Sequence, residues 1–302
     1  MEDPYLAATD ILGDGWTFLI TREAFFGATR FQDFYDRLNI PKARLTERLK
    51  HLVSNGMFER KLKDDTSRRY VYRFSAKGLA IYPIALSMIE WGLSRDPTLA
   101  KPNLVHASCG QPLRTQTVCH ACRAPVTRGS LTWAGIRPVK ELMAEPAKTK
   151  RWRRLPASAF DDVSLRPDPA IDAMRTASDR WSMLIIYGAL QTETFAFREA
   201  QSKLGLAHNI LSERLKHLQS QGVLEKVDDT KRSAYRLTES GDGMLAMALS
   251  VRTWGRTWLN PEHGSWVPLI HSCGSSAEVV PICMHCSEVV TPDQVSIVTG
   301  RE

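Results

Sequence analysis

Apolar residues recur at helical spacing through the first part of the chain. A first helix is predicted on a face made of Ile11, Leu12, Trp16, Leu19 and Ile20. A short second helix is predicted over residues 31–38. A third is predicted from Pro41 to Ser54, because proline suits an opening turn and Asn55-Gly56 suits a helix end. The apolar stripe of this third helix consists of Leu45, Leu49 and Leu52.

The pattern then changes from helical to alternating. Residues 58–62 and 70–74 alternate as strands do, and Asp64-Asp65-Thr66-Ser67 between them is typical of a turn. A closing helix is predicted over residues 76–94 and ends in Trp91-Gly92. Three helices followed by a hairpin are the order of a winged helix-turn-helix, so the fold class predicted is mainly α with small β-hairpins (α+β).

The whole pattern occurs twice. Glu-Arg-Leu-Lys-His-Leu at 47–52 returns unchanged at 213–218, and Trp91-Gly92 returns as Trp254-Gly255. We therefore expect winged helix-turn-helix domains over residues 1–99 and 165–262. Each is followed by a small Cys/His knuckle, over residues 103–130 and 267–299, and a basic linker covers residues 131–164.

The outer face of the third helix and the tip of the hairpin supply the candidate DNA contacts. Lysine and arginine suit phosphates or guanine edges, and hydroxyl and amide groups suit phosphates or bases. Each such side chain is also common on an ordinary solvated face. The predicted DNA-binding residues are Lys42, Arg44, Thr46, Lys50, His51, Arg68 and Arg69 in the first copy, and His208, Asn209, Ser212, Lys216, Lys231 and Arg232 in the second.

Composition and charge narrow the class of protein. The 302 residues are 43% hydrophobic and 24% charged, as in globular proteins, and no leader or membrane span is recognisable, so we expect a cytoplasmic protein. The net charge of +7 lies mostly between the copies, where residues 101–160 hold 11 basic and 2 acidic side chains. Within it, the run Lys148–Arg154 (KTKRWRR) is interpreted first as a solvated linker. The chain shows no phosphate loop, nucleophile motif or open catalytic metal motif, so we expect no enzyme.

All six cysteines follow the winged units in two triplets. With one histidine each, the predicted metal sets are His106, Cys109, Cys119 and Cys122 in the first knuckle, and His271, Cys273, Cys283 and Cys286 in the second. Three thiolates and one imidazole suit a closed, structural Zn²⁺ site. His120 or His285 are alternative ligands. Reduced thiols without metal, or a redox-regulated disulfide, are alternatives to zinc.

Ordered motifs resemble the HxlR-type winged helix-turn-helix regulators. The first copy carries LGDGWTFLITREAFFGATRFQDF, LTERLKHLVSNGMFERK, YRFSAKG and IEWG, and the second carries DRWSMLI, ILSERLKHLQSQGVLEK, YRLTESG and RTWG. The resemblance implies a repressor or activator that pairs through its terminal helices. It also implies a sensing cysteine before the first helix in some members, but Tyr5 and Ala170 stand at the matching positions here.

The combined expectation is a DNA-binding regulator, chiefly a repressor, that reads a pseudo-palindromic site with recognition helices and wings. Its partners are double-stranded DNA and an unknown small-molecule or redox effector, and it forms an intrachain pseudo-dimer or a homodimer. The alternative is an interaction or assembly module. The second copy has fewer cations on its recognition helix, so it is predicted to bind DNA more weakly or to serve only in dimerisation.

Overall fold

The computed structural model describes residues 3–63, 69–99, 103–133, 168–177, 179–229, 232–260 and 265–297. The predicted linker is therefore described only at residues 131–133, and its basic segment at 148–154 lies outside the described residues.

The first winged unit, unit 1, contains six helices and one hairpin. In chain order they are α1 (Pro4–Leu12), α2 (Gly15–Phe25), α3 (Phe31–Leu38), α4 (Lys42–Ser54), β1 (Phe58–Leu62), β2 (Tyr70–Phe74), α5 (Ala76–Leu79) and α6 (Tyr82–Arg95). Strands β1 and β2 pair antiparallel, with Arg60 opposite Tyr72. This hairpin is the wing that the alternating pattern predicts.

The second unit, unit 2, repeats this order after the linker. Its elements are α7 (Pro169–Ala177), α8 (Arg180–Ala189), β6 (Phe195–Ala196), α9 (Phe197–Leu204), α10 (His208–Ser220), β7 (Leu224–Asp229), β8 (Arg232–Leu237), α11 (Glu239–Asp242) and α12 (Leu245–Trp258). Its wing gains a short third strand, because β6 pairs with β8.

The predicted single helix through Ile11 and Ile20 is two helices. The chain breaks at Gly13, and the Asp14 side chain accepts a hydrogen bond from the N–H of Thr17 and so begins α2. A Cβ at Gly13 would lie 2.9 Å from the Cα of Arg180 in the other unit. Glycine at position 13 thus permits the close approach of Arg180, because no side chain fits at this turn. The predicted closing helix over 76–94 is likewise split, into α5 and α6.

One continuous apolar core runs through both units and includes the inner faces of both recognition helices. The leucine stripes that the periodicity predicts, Leu45, Leu49 and Leu52 in α4 and Leu211, Leu215 and Leu218 in α10, are all at most 1% exposed. These six residues are core, as predicted. They orient the opposite faces of α4 and α10 toward solvent.

The two units exchange their first helices. Helix α1 of unit 1 packs along α12 of unit 2, and α7 of unit 2 packs along α6 of unit 1. Trp91 donates from Nε1 to the Ser240 carbonyl at 2.8 Å, and Trp254 does the same to the Lys77 carbonyl at 3.0 Å. We call these two reciprocal contacts the exchanged seams.

The glycine of each Trp-Gly pair permits the close approach of the exchanged helices. A Cβ at Gly92 would lie 2.1 Å from the carbonyl oxygen of Pro169, and a Cβ at Gly255 would lie 2.2 Å from that of Pro4. No side chain fits at either place. The Trp-Gly pair is therefore repeated in the sequence because both units use it for the same contact with the other unit's first helix.

The two knuckles form a single module. Its strands are β3 (Leu104–His106), β4 (Thr115–Cys119) and β5 (Leu131–Trp133) from the first, and β9 (Leu269–His271), β10 (Val279–Cys283) and β11 (Val295–Ile297) from the second. The named strands pair across the halves, β3 with β11, β4 with β10 and β5 with β9. Strand β5 belongs to this module although the sequence assigns it to the linker.

Candidate nucleic-acid interface and cysteine clusters

Helix α4 presents the predicted reading face of unit 1 to solvent. Lys42, Arg44, Thr46 and Lys50 are all exposed. Lys42 lies over the Tyr35 ring at 5.1 Å, and Arg44 pairs with Glu47 at 3.0 Å. These contacts are weak surface interactions that DNA phosphates can replace at low cost.

Two candidates on this helix are already engaged within the protein. Thr46 Oγ1 donates to the Lys42 carbonyl one turn earlier. His51 is half-buried, with Nε2 3.4 Å from the Ile11 carbonyl and Nδ1 3.2 Å from the Asn55 amide. Burial lowers the pKa of His51. The imidazole thus lies at the packed edge of the helix, and sequence periodicity alone had placed it on the outer half.

A buried ion pair fixes the orientation of each recognition helix. Arg48 is 2% exposed and its Nε lies 2.7 Å from Asp14 Oδ1, while Arg214 Nε lies 3.0 Å from Asp179 Oδ1 in unit 2. Arg48 and Arg214 therefore each form an ion pair within the protein. Asp14 and Asp179 also face each other across the pseudo-symmetric centre as an antiparallel bridge.

The wing of unit 1 extends the basic surface. Arg69 is exposed as predicted, and Arg68 lies outside the described residues. The strands add further exposed cations that sequence reasoning missed, namely Arg60, Lys61, Lys63 and Arg73. Their charge was the signal available, because lysine and arginine are seldom buried and β1 is exposed from Glu59 to Leu62.

Unit 2 presents a less basic surface at the same places. On α10, His208, Asn209 and Lys216 are exposed and Ser212 is half-buried, and His208 packs against the Phe197 ring at 4.7 Å. Lys231 lies outside the described residues, and Arg232 begins β8 without a described side chain. Strand β7 ends in two aspartates where β1 continues into Leu62 and Lys63. The unequal cation content predicted from sequence therefore extends to the wings.

The eight predicted metal ligands come together, but in different sets from those predicted. One cluster contains His106, Cys109, Cys283 and Cys286, and the other contains Cys119, Cys122, His271 and Cys273. Each knuckle thus gives two residues to each cluster, and the prediction of one self-contained set per knuckle is wrong. The cross-pairing of β4 with β10 is the cause, since it carries each Cys-x2-Cys turn to the other half's histidine.

The geometry of both clusters suits a tetrahedral metal. Zinc bonds of about 2.3 Å to sulfur and about 2.0 Å to nitrogen place tetrahedral ligand atoms roughly 3.5 to 3.8 Å apart. Sulfurs of Cys109 and Cys283 are 3.9 Å apart, and those of Cys119 and Cys273 are 4.0 Å apart. The imidazole Nδ1 of His106 lies 3.4 Å from Cys109 Sγ. These distances are far from the 2.05 Å of a disulfide, and all six cysteines are free.

In each cluster the pKa of one thiol is lowered and that of another is raised. The hydrogen bond from His271 lowers the pKa of Cys273 to about 6. At Cys283, burial opposes ionisation, but the backbone N–H groups of Cys286 and His285 lower the pKa of the thiol. At Cys122 and Cys286 the hydrogen bonds from the backbone N–H groups of Ala124 and Glu288 are outweighed by burial and the neighbouring thiols, so these two pKa values are raised. The alternative ligands are excluded from both clusters, since His120 and His285 are exposed and belong to neither.

A family model decides the relationship to known proteins. The model of the HxlR-like helix-turn-helix matches residues 11–98 and again residues 176–263, which together are more than half of the chain. The chain belongs to the HxlR-like helix-turn-helix family. The two matches coincide with the two winged units described above, so the protein is a tandem member of the family.

Individual relatives of this HxlR-like chain are also regulators. The HTH-type transcriptional regulator Rv3095 of Mycobacterium tuberculosis is 32% identical over 130 residues, which are 41% of this chain and 80% of that protein. YvaP of Bacillus subtilis is 31% identical over 100 residues, or 32% of this chain and 89% of its own length. YodB of the same organism is 30% identical over 86 residues, or 28% of this chain and 77% of its own length.

Two further findings bear on the HxlR-like chain. Tyr5 and Ala170, at the places of the sensing cysteine, are 1% and 4% exposed within the exchanged seams, and Tyr5 stacks on Tyr187 with ring centroids 4.0 Å apart. Within the described ranges, no helix is long and apolar enough to cross a membrane.

Proposed function

We propose that this HxlR-like protein is a sequence-specific DNA-binding repressor in which unit 1 makes the stronger contact. The observation that carries the proposal is the set of exposed cations on α4 and on the described strands of its wing. Binding alone suffices for repression, since it blocks access to promoter DNA. The proposal assigns no catalytic step to the protein.

The exchanged seams support a pseudo-palindromic target. Reciprocal packing of α1 on α12 and α7 on α6 relates the two units by an approximate twofold axis. Two recognition helices related in this way address two half-sites related in the same way. The acidic end of β7 and the loss of two cations on α10 favour looser binding at the second half-site.

Salt-dependent binding to the DNA upstream of the protein's own coding region tests the proposal. Fluorescence anisotropy at several salt concentrations should show affinity falling steeply, because each phosphate contact releases counterions. Lys50→Ala should weaken binding roughly three- to tenfold and reduce the salt slope by about 1. Lys216→Ala, the equivalent change in unit 2, should cost less.

Lys203→Ala is the matched control, because Lys203 pairs with Glu199 on α9 outside the recognition helices and wings. Its affinity should equal that of the unsubstituted protein. Absence of binding at low salt would support the alternative of an assembly module. Equal losses for Lys50→Ala and Lys216→Ala would refute the unequal roles of the units.

We also propose that each cysteine cluster holds a structural zinc ion. The donor set of three sulfurs and one nitrogen per cluster, at tetrahedral spacing, supports zinc over the softer and harder metals. With four protein ligands each, the sites would be closed to substrate. Because each joins residues from both halves, zinc would fasten unit 1 to unit 2.

Paired cysteine substitutions distinguish the observed clusters, which each take ligands from both knuckles, from the predicted clusters, which each lie within one knuckle. Cys109→Ser with Cys283→Ser alters one cluster, so metal analysis should find one zinc per chain. Cys109→Ser with Cys119→Ser alters both clusters, so zinc should be lost from both. The reverse pattern would show that each knuckle binds its own ion. Absence of zinc from the unsubstituted protein purified without chelator would contradict the proposal.

A further inference from the structure

Unit 1 contains an apolar cavity beneath its exchanged seam. It has a volume of about 340 Å³ and is walled by α2, α6, α7 and the knuckle strands β3 and β11. Its lining is dominated by aromatic and aliphatic side chains, among them Phe18, Phe25, Ile89, Met174 and Ile297. A cavity of this size and lining is in the range of small-molecule sites.

A smaller cavity in unit 2 overlaps the equivalent position, since Asp3 and Arg252 line it at the places of Asp168 and Ile89. Its volume is about 80 Å³. Tyr187 stands there in place of Arg22, and Trp133 in place of Ile297, with their rings edge-on at 5.5 Å. The same fold therefore closes the space with two large rings on one side and leaves it open on the other. The fold itself does not require the cavity.

One polar group in the cavity wall lacks a partner. Arg22 is 6% exposed; its Nε lies 2.6 Å from Asp168 and its Nη1 bonds Glu23. Its Nη2 is buried and has no hydrogen-bond partner among the described residues. Such a buried donor costs stability unless something accepts from it.

The other polar groups of the lining are satisfied internally. Thr17 bonds Asp14, Thr21 donates to carbonyls of its own helix, and the Tyr82 hydroxyl donates to the Val290 carbonyl at 2.5 Å. The charges around Arg22 also balance, because Glu23 and Asp168 are matched by Arg22 and by Arg37, 3.5 Å from Glu23. A ligand with a negative charge would upset that balance.

We propose that the unit 1 cavity binds a small, uncharged, largely aromatic or alicyclic molecule with one hydrogen-bond acceptor for Arg22. The apolar lining excludes water from most of the ligand, and the unpartnered Nη2 selects a carbonyl or hydroxyl oxygen. Helix α2 packs against α4, and Met174 belongs to the helix that forms the seam. Occupancy would therefore change DNA affinity, a consequence that rests on the proposed function.

Fluorescence titration of the full chain with 2-naphthol tests the site without DNA. One molecule should bind per chain, with a dissociation constant on the order of 0.1 mM. Ile297→Trp places in unit 1 the residue that closes unit 2, and Ala85→Leu fills the cavity from α6. Each should weaken binding at least tenfold. Gly188→Ala, which adds a methyl group to the unit 2 space, should leave the affinity unchanged.

Two further measurements test the hydrogen bond from Arg22 and the preference for an uncharged ligand. Arg22→Lys keeps the charge but removes Nη2, so 2-naphthol should bind about tenfold more weakly. The anion 2-naphthoate should bind at least tenfold more weakly than 2-naphthol to the unsubstituted protein. The proposal would be overturned if 2-naphthol showed no saturable binding or if the anion bound more tightly. It would also be overturned if both filled variants bound 2-naphthol as tightly as the unsubstituted protein does. None of these outcomes depends on whether the protein binds DNA.

Discussion

A methyl group added at Gly92 should open the seam between unit 1 and unit 2. The new Cβ would lie 2.1 Å from the Pro169 carbonyl oxygen and 2.6 Å from its carbonyl carbon, where ordinary contacts begin near 3.4 Å. Helix α6 and the start of α7 must therefore separate by about 1 Å. Both atoms struck belong to the backbone, so no side-chain rotation can relieve the overlap.

The expected net loss of stability for Gly92→Ala is about 2 kcal/mol. Overpacking of this kind costs roughly 1 to 3 kcal/mol, and here the fixed backbone puts it at or above the upper end. The higher helix propensity of alanine returns up to about 1 kcal/mol. Urea denaturation followed by circular dichroism and tryptophan fluorescence measures the difference as a lower transition midpoint.

Gly188→Ala is the matched control, because it is the same substitution inside helix α8. A Cβ there meets nothing within 4 Å, so only the helix-propensity gain remains and the midpoint should rise. Opposite shifts for the two variants are the predicted result. A midpoint for Gly92→Ala at or above that of the unsubstituted protein would show that the exchanged seam does not have the described geometry.

Three further perturbations follow from buried groups. Asp14→Asn leaves Arg48 without its buried counter-charge and should lower the unfolding free energy by about 3 kcal/mol, measured by urea denaturation. Because burial lowers the pKa of His51 below its ordinary 6.5, the unfolded chain takes up the proton first, and stability should fall as pH drops below about 6.5. His51→Gln should show a shallower fall over that window, and an unchanged slope would contradict the assignment. If the clusters hold zinc, chelation should lower the thermal midpoint of the full chain, and re-addition of zinc should restore it.

Local pattern determined much of this fold. The leucine stripes at helical spacing, the alternating wing and the exact repeat of residues 47–52 at 213–218 placed two winged units and their reading faces. These features depend on neighbours within a few residues, so periodicity suffices to find them. The cations of β1 and β2 were equally accessible to this reasoning, because charged side chains on a predicted hairpin are seldom buried.

Tertiary structure decided how the two halves combine. Spacing in the sequence placed four candidate ligands in each knuckle. Two clusters of four ligands are also obtained when each cluster takes two residues from each knuckle. Only the pairing of β4 with β10 distinguishes this shared arrangement from the self-contained one. The close approach of the turn at Gly13 to the backbone of Arg180, more than 160 residues away, is likewise a tertiary contact. His51 shows the same limit on a smaller scale, since the Ile11 carbonyl turns it inward. Contacts between distant segments leave no periodic trace, and here they arise because each unit completes its packing with the first helix of the other.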